Sequence, residues 1–183
     1  KTKLEEYGGV FLSDVVGLGK TYVSALLAKQ LDGRNLVIAP PTLLDPDNPG
    51  SWLNVFSDFG VRQTNFESVG QLDKVIRRGT EKYTNVFIDE SHRFRTEYTE
   101  MYAKLAEICR GKRVILVSAT PLNNTPLDIL SQIKLFQNAH KSTLPKPKVH
   151  DLEKYFKKLQ GRLKGLDRQR DTEEYLKIVQ ENA

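Results

Sequence analysis

From residue 9 to residue 136 short apolar runs alternate with longer stretches of helical period, the pattern of repeated strand and helix units around a mostly parallel sheet. Four runs read as buried strands, at residues 10–13, 35–39, 85–88 and 113–117. Each is rich in Val, Ile, Leu or Phe and is bounded by turn residues or charges. Residues 61–66 form a weaker fifth. Between them, residues 20–31, 69–78, 97–110 and 126–136 have the period and length of helices. Gly33, Gly79 and Gly111 stand where helices should stop, because glycine enters the left-handed cap conformation without a steric cost.

Beyond residue 136 the pattern changes, with Pro145 and Pro147 in a loop over 140–150 and no further strand run. Leu152, Tyr155, Phe156, Leu159 and Leu163 then fall on one helical face, opposite a strongly basic one, with Asp151 placed to cap the helix. That apolar face must pack on something. A bend over 161–170 and a second helix over 172–179, opened by Asp171 and Glu174 in capping-box spacing, should follow. The expected division is a lobe at 1–137 and a basic helical extension at 138–183.

Composition narrows the class. With 183 residues, 39% hydrophobic and 28% charged, the chain can bury a sizeable core. Cys109 is the single cysteine, which excludes an internal disulfide and a cysteine-rich zinc module. No apolar run approaches the roughly 18 to 20 residues needed to cross a bilayer, and residues 1–7 lack the apolar centre of a signal peptide. A cytosolic chain without membrane contact is expected. The 28 basic and 23 acidic residues give +5, and residues 137–183, with 11 basic and 7 acidic, carry +4 of it. Such a segment is compatible with phosphate partners, and its mixed signs also describe a solvated helix surface.

Three segments carry candidate chemistry. Asp14-Val15-Val16-Gly17-Leu18-Gly19-Lys20-Thr21 lies between an apolar strand and the start of a helix. Gly17, Leu18 and Gly19 would bring backbone N–H groups onto a phosphate, Lys20 would reach the terminal phosphates, and the Thr21 hydroxyl would ligate Mg2+. The strict pattern has a glycine where Asp14 stands, so by spacing alone an ordinary glycine turn is the rival reading. In Val86-Phe87-Ile88-Asp89-Glu90-Ser91-His92 an apolar strand ends on two carboxylates, at the sheet edge where open α/β folds bind ligands. Asp89 could hold Mg2+ and Glu90 could polarise an attacking water; a solvated strand end is the alternative. Ser118-Ala119-Thr120-Pro121-Leu122-Asn123-Asn124 closes another buried strand with small hydroxyl side chains suited to sensing a terminal phosphate; taken alone it reads as a strand leaving the sheet at a proline.

With these segments in this order, the chain resembles helicase superfamily two, and within it the double-stranded-DNA translocases of the SWI/SNF-like group. The segment through Lys20-Thr21 looks like that group's ADEMGLGKT motif, in which an Asp takes the place of the first glycine. Leu36-Val37-Ile38-Ala39-Pro40 with Trp52 is similar to the motif that touches DNA phosphates and its following tryptophan. The Asp-Glu-Ser-His box is a DEAH variant, and Ser118 to Asn124 looks like GTPLQN. Asn65 to Ser68 is a fainter match to a further DNA-contacting motif.

The resemblance implies a RecA-like P-loop NTPase domain: a mostly parallel central sheet flanked by helices, here with a C-terminal helical extension. It implies ATP and Mg2+ as cofactors, Lys20, Asp89 and Glu90 as the catalytic set, and Thr21 with Asp89 organising the metal. His92, Ser118 and Thr120 would couple nucleotide state to DNA. Pro40 and Trp52 are nucleic-acid candidates, and for Trp52 a packing role is equally open. Tyr7, Arg93, Phe94 and Arg95 lie close to the site in sequence. Duplex DNA and a second RecA-like lobe are the implied partners; that lobe supplies arginines to phosphoryl transfer and is expected to be absent here, leaving an excised first motor domain, monomeric and nearly inactive alone. Val15-Val16 and Ala119 depart from the group's residues and suggest a divergent, bacterial member. A strand-separating helicase and a nucleotide-gated binding module are the alternative functions.

Overall fold

The computed structural model describes residues 1–13, 19–94, 97, 99–119, 125–144, 150–164 and 177. Asp14 to Leu18, Arg95, Thr120 to Asn124, Pro145, Pro147 and, save Lys177, the expected helix at 172–179 lie outside the described residues.

Five strands, β1 (Gly9–Ser13), β2 (Asn35–Ala39), β3 (Thr64–Ser68), β4 (Asn85–Asp89) and β5 (Arg113–Ser118), form one parallel sheet in the order β1-β5-β4-β2-β3. The helices are α1 (Thr2–Tyr7), α2 (Lys20–Lys29), α3 (Trp52–Asp58), α4 (Leu72–Arg77), α5 (Glu100–Cys109), α6 (Pro126–Ile133) and α7 (Leu152–Leu163). Because successive strand residues point to opposite faces, the central strands feed two cores. Leu36, Ile38, Val86, Ile88, Val114 and Leu116 pack with side chains of α4 and α5 on one face. Val37, Ala39, Phe87, Ile115 and Val117 pack on the other with Leu4 of α1, Ala25 and Ala28 of α2, and Trp52, Val55 and Phe56 of α3. Strands covered on both sides read as continuous apolar runs, which is why β2, β4 and β5 are legible from pattern.

The fifth strand is displaced from its expected span. The Val61 amide donates to the Phe56 carbonyl and closes α3, and Gln63 turns the chain at φ 56°. Pairing with β2 therefore starts only at Thr64, opposite Asn35. Val61 is apolar because it packs on the core from a loop, not because it belongs to the sheet. Helix α3 was not expected as an element: Ser51 caps it by accepting from the Asn54 amide at 3.3 Å, and Trp52, Val55 and Phe56 make one buried face too short to show a period. Residues 69–71 of the helix expected over 69–78 are a 3-10 turn, and α5 begins at Glu100 because Thr99 caps it, accepting from the Tyr102 amide at 3.1 Å.

The C-terminal apolar face finds its partner within the chain. Leu152 and Phe156 of α7 are buried against Leu130 and Ile133 of α6. Asp151 caps α7 by accepting from the Lys154 amide at 2.9 Å. Lys134 joins the two helices, pairing with Glu153 at 3.0 Å and with Glu97 upstream. Phe136 closes the joint against β1, its ring lying where Gly9 has no side chain: a Cβ there would stand 2.2 Å from the ring. Among the described residues no helix is long and apolar enough to cross a membrane.

Candidate functional site

The order of the sheet brings the three candidate segments to one edge. β1, β5 and β4 are neighbours, with Ser13 level with Ser118 and Asp89 level with Val117, so the chain leaves the sheet side by side at the phosphate-loop segment, the third motif and the acidic box. In a parallel sheet all carboxyl ends point the same way, and this is the edge at which open α/β folds bind ligands.

Lys20 opens α2 behind Gly19, which caps the helix in the left-handed region at φ 74° and ψ 33°. A residue with a Cβ is strained there, so glycine is favoured at this position. Lys20 and Thr21 are both partly exposed, and the positive charge of Lys20 reaches Asp89, where it draws the carboxyl towards ionisation.

Asp89 is the last residue of β4 and only 7% exposed. Both of its oxygens are engaged: Oδ2 accepts from the indole Nε1–H of Trp52 at 2.7 Å, and Oδ1 accepts from the Glu90 amide at 2.8 Å. Burial pushes the Asp89 carboxyl above its ordinary range, against the lowering pull of the indole, the Glu90 amide and Lys20. Glu90 itself takes a left-handed backbone, φ 53°, which swings its side chain away from the buried strand and starts the 3-10 turn Ser91–Phe94. A non-glycine residue in that region marks a place where the fold imposes a geometry.

One ring nitrogen spans the box and the third motif. His92 Nδ1 lies 3.2 Å from Glu90 Oε2 and 3.1 Å from Ser118 Oγ, at the buried end of β5. Beneath them the Ser91 hydroxyl donates to Gln132 Oε1 at 2.9 Å, and the Gln132 amide donates to the Asp128 carbonyl at 3.0 Å. The acidic box is thus tied to α6, the helix on which α7 docks. Sequence reading missed Gln132; the signal was a polar residue on a helix face otherwise occupied by Leu130 and Ile133.

Several candidate residues are buried. Of the two readings open for Trp52, burial selects packing: the ring is 1% exposed, stacked among Phe56 and Phe87, and turned inward to Asp89. Its side chain offers no surface to a nucleic acid, because the apolar ring is covered by α3 and β4. Pro40 is also buried, at the end of β2. Phe94 belongs to the core. Glu67, in the fainter motif on β3, is a buried carboxylate paired with Lys74 at 3.2 Å and Arg78 at 3.1 Å.

The donor set fits Mg2+ better than a metal that needs a protein cage. Among the described residues no group of three His, Cys, Asp or Glu could hold an ion, whereas Mg2+ keeps several waters and leans on one or two carboxylates plus substrate phosphates. Asp89, at the end of β4, and Thr21, in the first turn of α2, carry hard oxygen donors of that kind.

A RecA-like α/β lobe with these segments at its carboxyl edge is the architecture of a helicase-like ATPase domain. The comparison with known families names the group: residues 46–158 match the SNF2-related domain, and the chain belongs to that family, as the first RecA-like lobe of a SWI/SNF-like member of helicase superfamily two. The matched span contains Asp89, Glu90, His92 and Ser118 and begins after Lys20. Among solved structures, the chain is similar to the Sulfolobus solfataricus SWI2/SNF2 ATPase core in complex with double-stranded DNA, with a TM-score of 0.64 at 17% identity, over 99% of this chain and 42% of that one. At that identity the likeness is one of fold. No curated protein matches the chain.

Proposed function

We propose that this chain is the ATP-binding lobe of a translocase that walks duplex DNA by its phosphates without reading sequence. The observation that carries it is the convergence at one sheet edge of Lys20, the Asp89-Glu90 pair and Ser118, with His92 touching both Glu90 and Ser118. Lys20, on the glycine-capped start of α2, would hold the terminal phosphates of ATP. Mg2+, when bound, would neutralise phosphate charge, held by Asp89 and Thr21. Glu90, partly exposed and carried outward by its left-handed backbone, would take the proton of the attacking water. His92 would relay the state of that site to Ser118 and so to the third motif, which with Thr120 would couple it to DNA. Gly17 and Leu18 would complete the phosphate loop.

The rest of such a motor lies in a second lobe, which the family resemblance requires for arginines at the transferred phosphate. This reading treats residues 1–137 as the lobe and 138–183 as a basic appendage seated on it through α6 and α7. In support, the family match identifies a helicase-like ATPase domain, and the similar archaeal core was solved with double-stranded DNA.

The test is ATP turnover by a longer polypeptide that carries a second lobe, compared without nucleic acid, with single strands and with duplex. Duplex-selective stimulation that disappears in Lys20→Ala and Glu90→Gln is the expected result, with Glu90→Gln still binding ATP. A response equal or greater with single strands assigns a strand-separating helicase, and no turnover at all assigns a nucleotide-gated binding module.

A further inference from the structure

We infer that Trp52 is a positioning residue for the acidic box: its indole N–H fixes the Asp89 carboxylate in the orientation that receives a divalent cation, making the affinity for the metal depend on α3. The inference rests on the ATP-binding reading above and adds a residue that no motif of the site assigns to nucleotide chemistry.

The geometry is specific. A carboxylate at a strand end ordinarily turns freely about its last bond. Asp89 does not, because two donors fix its plane from two directions: the Glu90 amide at 2.8 Å on Oδ1 and the indole at 2.7 Å on Oδ2. The Glu90 donor belongs to the box itself. The indole comes from 37 residues away and from another element. Its direction is fixed in turn, since Trp52 is wedged against Phe56 and Phe87 with ring centroids 5.4 and 6.2 Å away. A carboxylate has room for about four hydrogen-bond or metal contacts; with one donor on each oxygen, lone pairs remain free on both for a cation or its waters. Outer donors of this kind orient the ligands of a metal and tune its affinity.

The arrangement also makes the protein report on itself. Trp52 is the single tryptophan, and its N–H is bonded to the carboxylate proposed to meet the metal. Charge arriving at Asp89 changes the field across the indole, so emission should follow the cation. Phenylalanine at this position removes the donor and keeps an aromatic, though smaller, apolar ring, so it is the comparison of metal-free with metal-dependent affinity that separates hydrogen bonding from packing.

The experiment uses the chain as it stands, with a fluorescent ribose-labelled ATP analogue excited directly, titrated with and without Mg2+. In Trp52→Phe the metal-free affinity should match that of the unaltered chain, while the Mg2+ needed for half-maximal tightening should rise about 10-fold to 100-fold. A purely structural role would move both affinities together. An unchanged Mg2+ requirement in a folded Trp52→Phe overturns the inference and leaves the ATP reading standing. In parallel, Trp52 emission of the unaltered chain is followed as Mg2+ is added to the nucleotide complex, and again in Asp89→Asn. Emission should change with the same midpoint as metal-dependent binding and should be silent in Asp89→Asn. This second measurement decides the matter if Trp52→Phe does not fold: an emission that ignores Mg2+ while nucleotide binding responds to it overturns the inference. If the unaltered chain binds no nucleotide with or without Mg2+, the ATP reading itself fails, and the role of Trp52 falls with it.

Discussion

Glu90 and Gln63 are the two described non-glycine residues with positive φ, at 53° and 56°, and they differ in what the strain accompanies. Gln63 is an exposed loop residue whose backbone carbonyl accepts from Asn35, and its side chain has no part in the site. The left-handed region costs an L-residue about 1–2 kcal/mol, and glycine's extra unfolded freedom returns roughly half of that. Gln63→Gly should therefore stabilise the fold by about 0.5–1 kcal/mol in urea unfolding, with nucleotide binding untouched. Glu90→Gly should stabilise by a similar amount for the same backbone reason and abolish turnover, because the lost side chain is the proposed base. A destabilised Glu90→Gly would mean that its bond to His92 outweighs the strain. The acidic pair was legible in the sequence because a run of three apolar residues, Val86 to Ile88, ended on it. The hydrogen-bond partners of Asp89 and Ser91 were not, since Trp52 and Gln132 arrive from distant elements and hydropathy patterns carry no information about which polar atoms meet.

At the scale of elements, the three central strands can be read from pattern because they are buried on both faces, and β1, half-buried at one edge, because Val10, Phe11 and Leu12 run together; β3, at the other edge, has three half-buried positions before Glu67 and was read three residues early. The seat of α7 depended on something a pattern cannot give, namely which surface the apolar face would meet. That seat includes Phe136 lying over Gly9. Gly9→Ala should cost about 1–3 kcal/mol, the usual penalty of overpacking, and Phe136→Leu in the same molecule should recover part of it, a coupling that a double-mutant cycle in urea measures directly. The charge link is pH-dependent in a definite direction. Glu153 is held below its ordinary value by its hydrogen bond and charge interaction with Lys134, and Asp151 is held low chiefly by the Lys154 amide. Burial works against the charge of Lys134, but its bonds to Glu97 and Glu153 outweigh it and raise its pKa. Depressed acids stabilise above their unfolded values and lose that contribution as pH falls through their folded ones; a raised lysine does the reverse as pH rises. Amide protection across α7, corrected for intrinsic exchange, should thus be flat near neutrality and fall towards acid below the ordinary glutamate value of 4.5. Lys134→Met should remove the share due to Glu153 and leave that due to Asp151.

For the whole molecule, the candidate site and the two main cores are made from the same strands. Asp89 ends the strand that contributes Val86 and Ile88 to one core and Phe87 to the other, and Ser118 ends the strand that contributes Val114 and Leu116 to the first and Ile115 and Val117 to the second. A ligand gripped at this edge cannot stabilise a loop alone; opening the site would mean disturbing β4 and β5, so the binding energy should appear in global unfolding. A ligand that binds only the native state adds about 2.7 kcal/mol at one hundred times its Kd, which for a chain of this size corresponds to a rise in thermal midpoint of roughly 5 to 10 °C. Mg2+ with ATP should give that rise, ATP with a chelator a smaller one, and Lys20→Ala none. Because the measurement needs neither turnover nor a second lobe, it separates the presence of the site from the completeness of the motor. A midpoint that stays fixed at millimolar Mg2+ and ATP removes the nucleotide reading for this lobe, whatever a longer polypeptide does. A shift with ATP that is unaffected by Lys20→Ala would place the nucleotide away from α2.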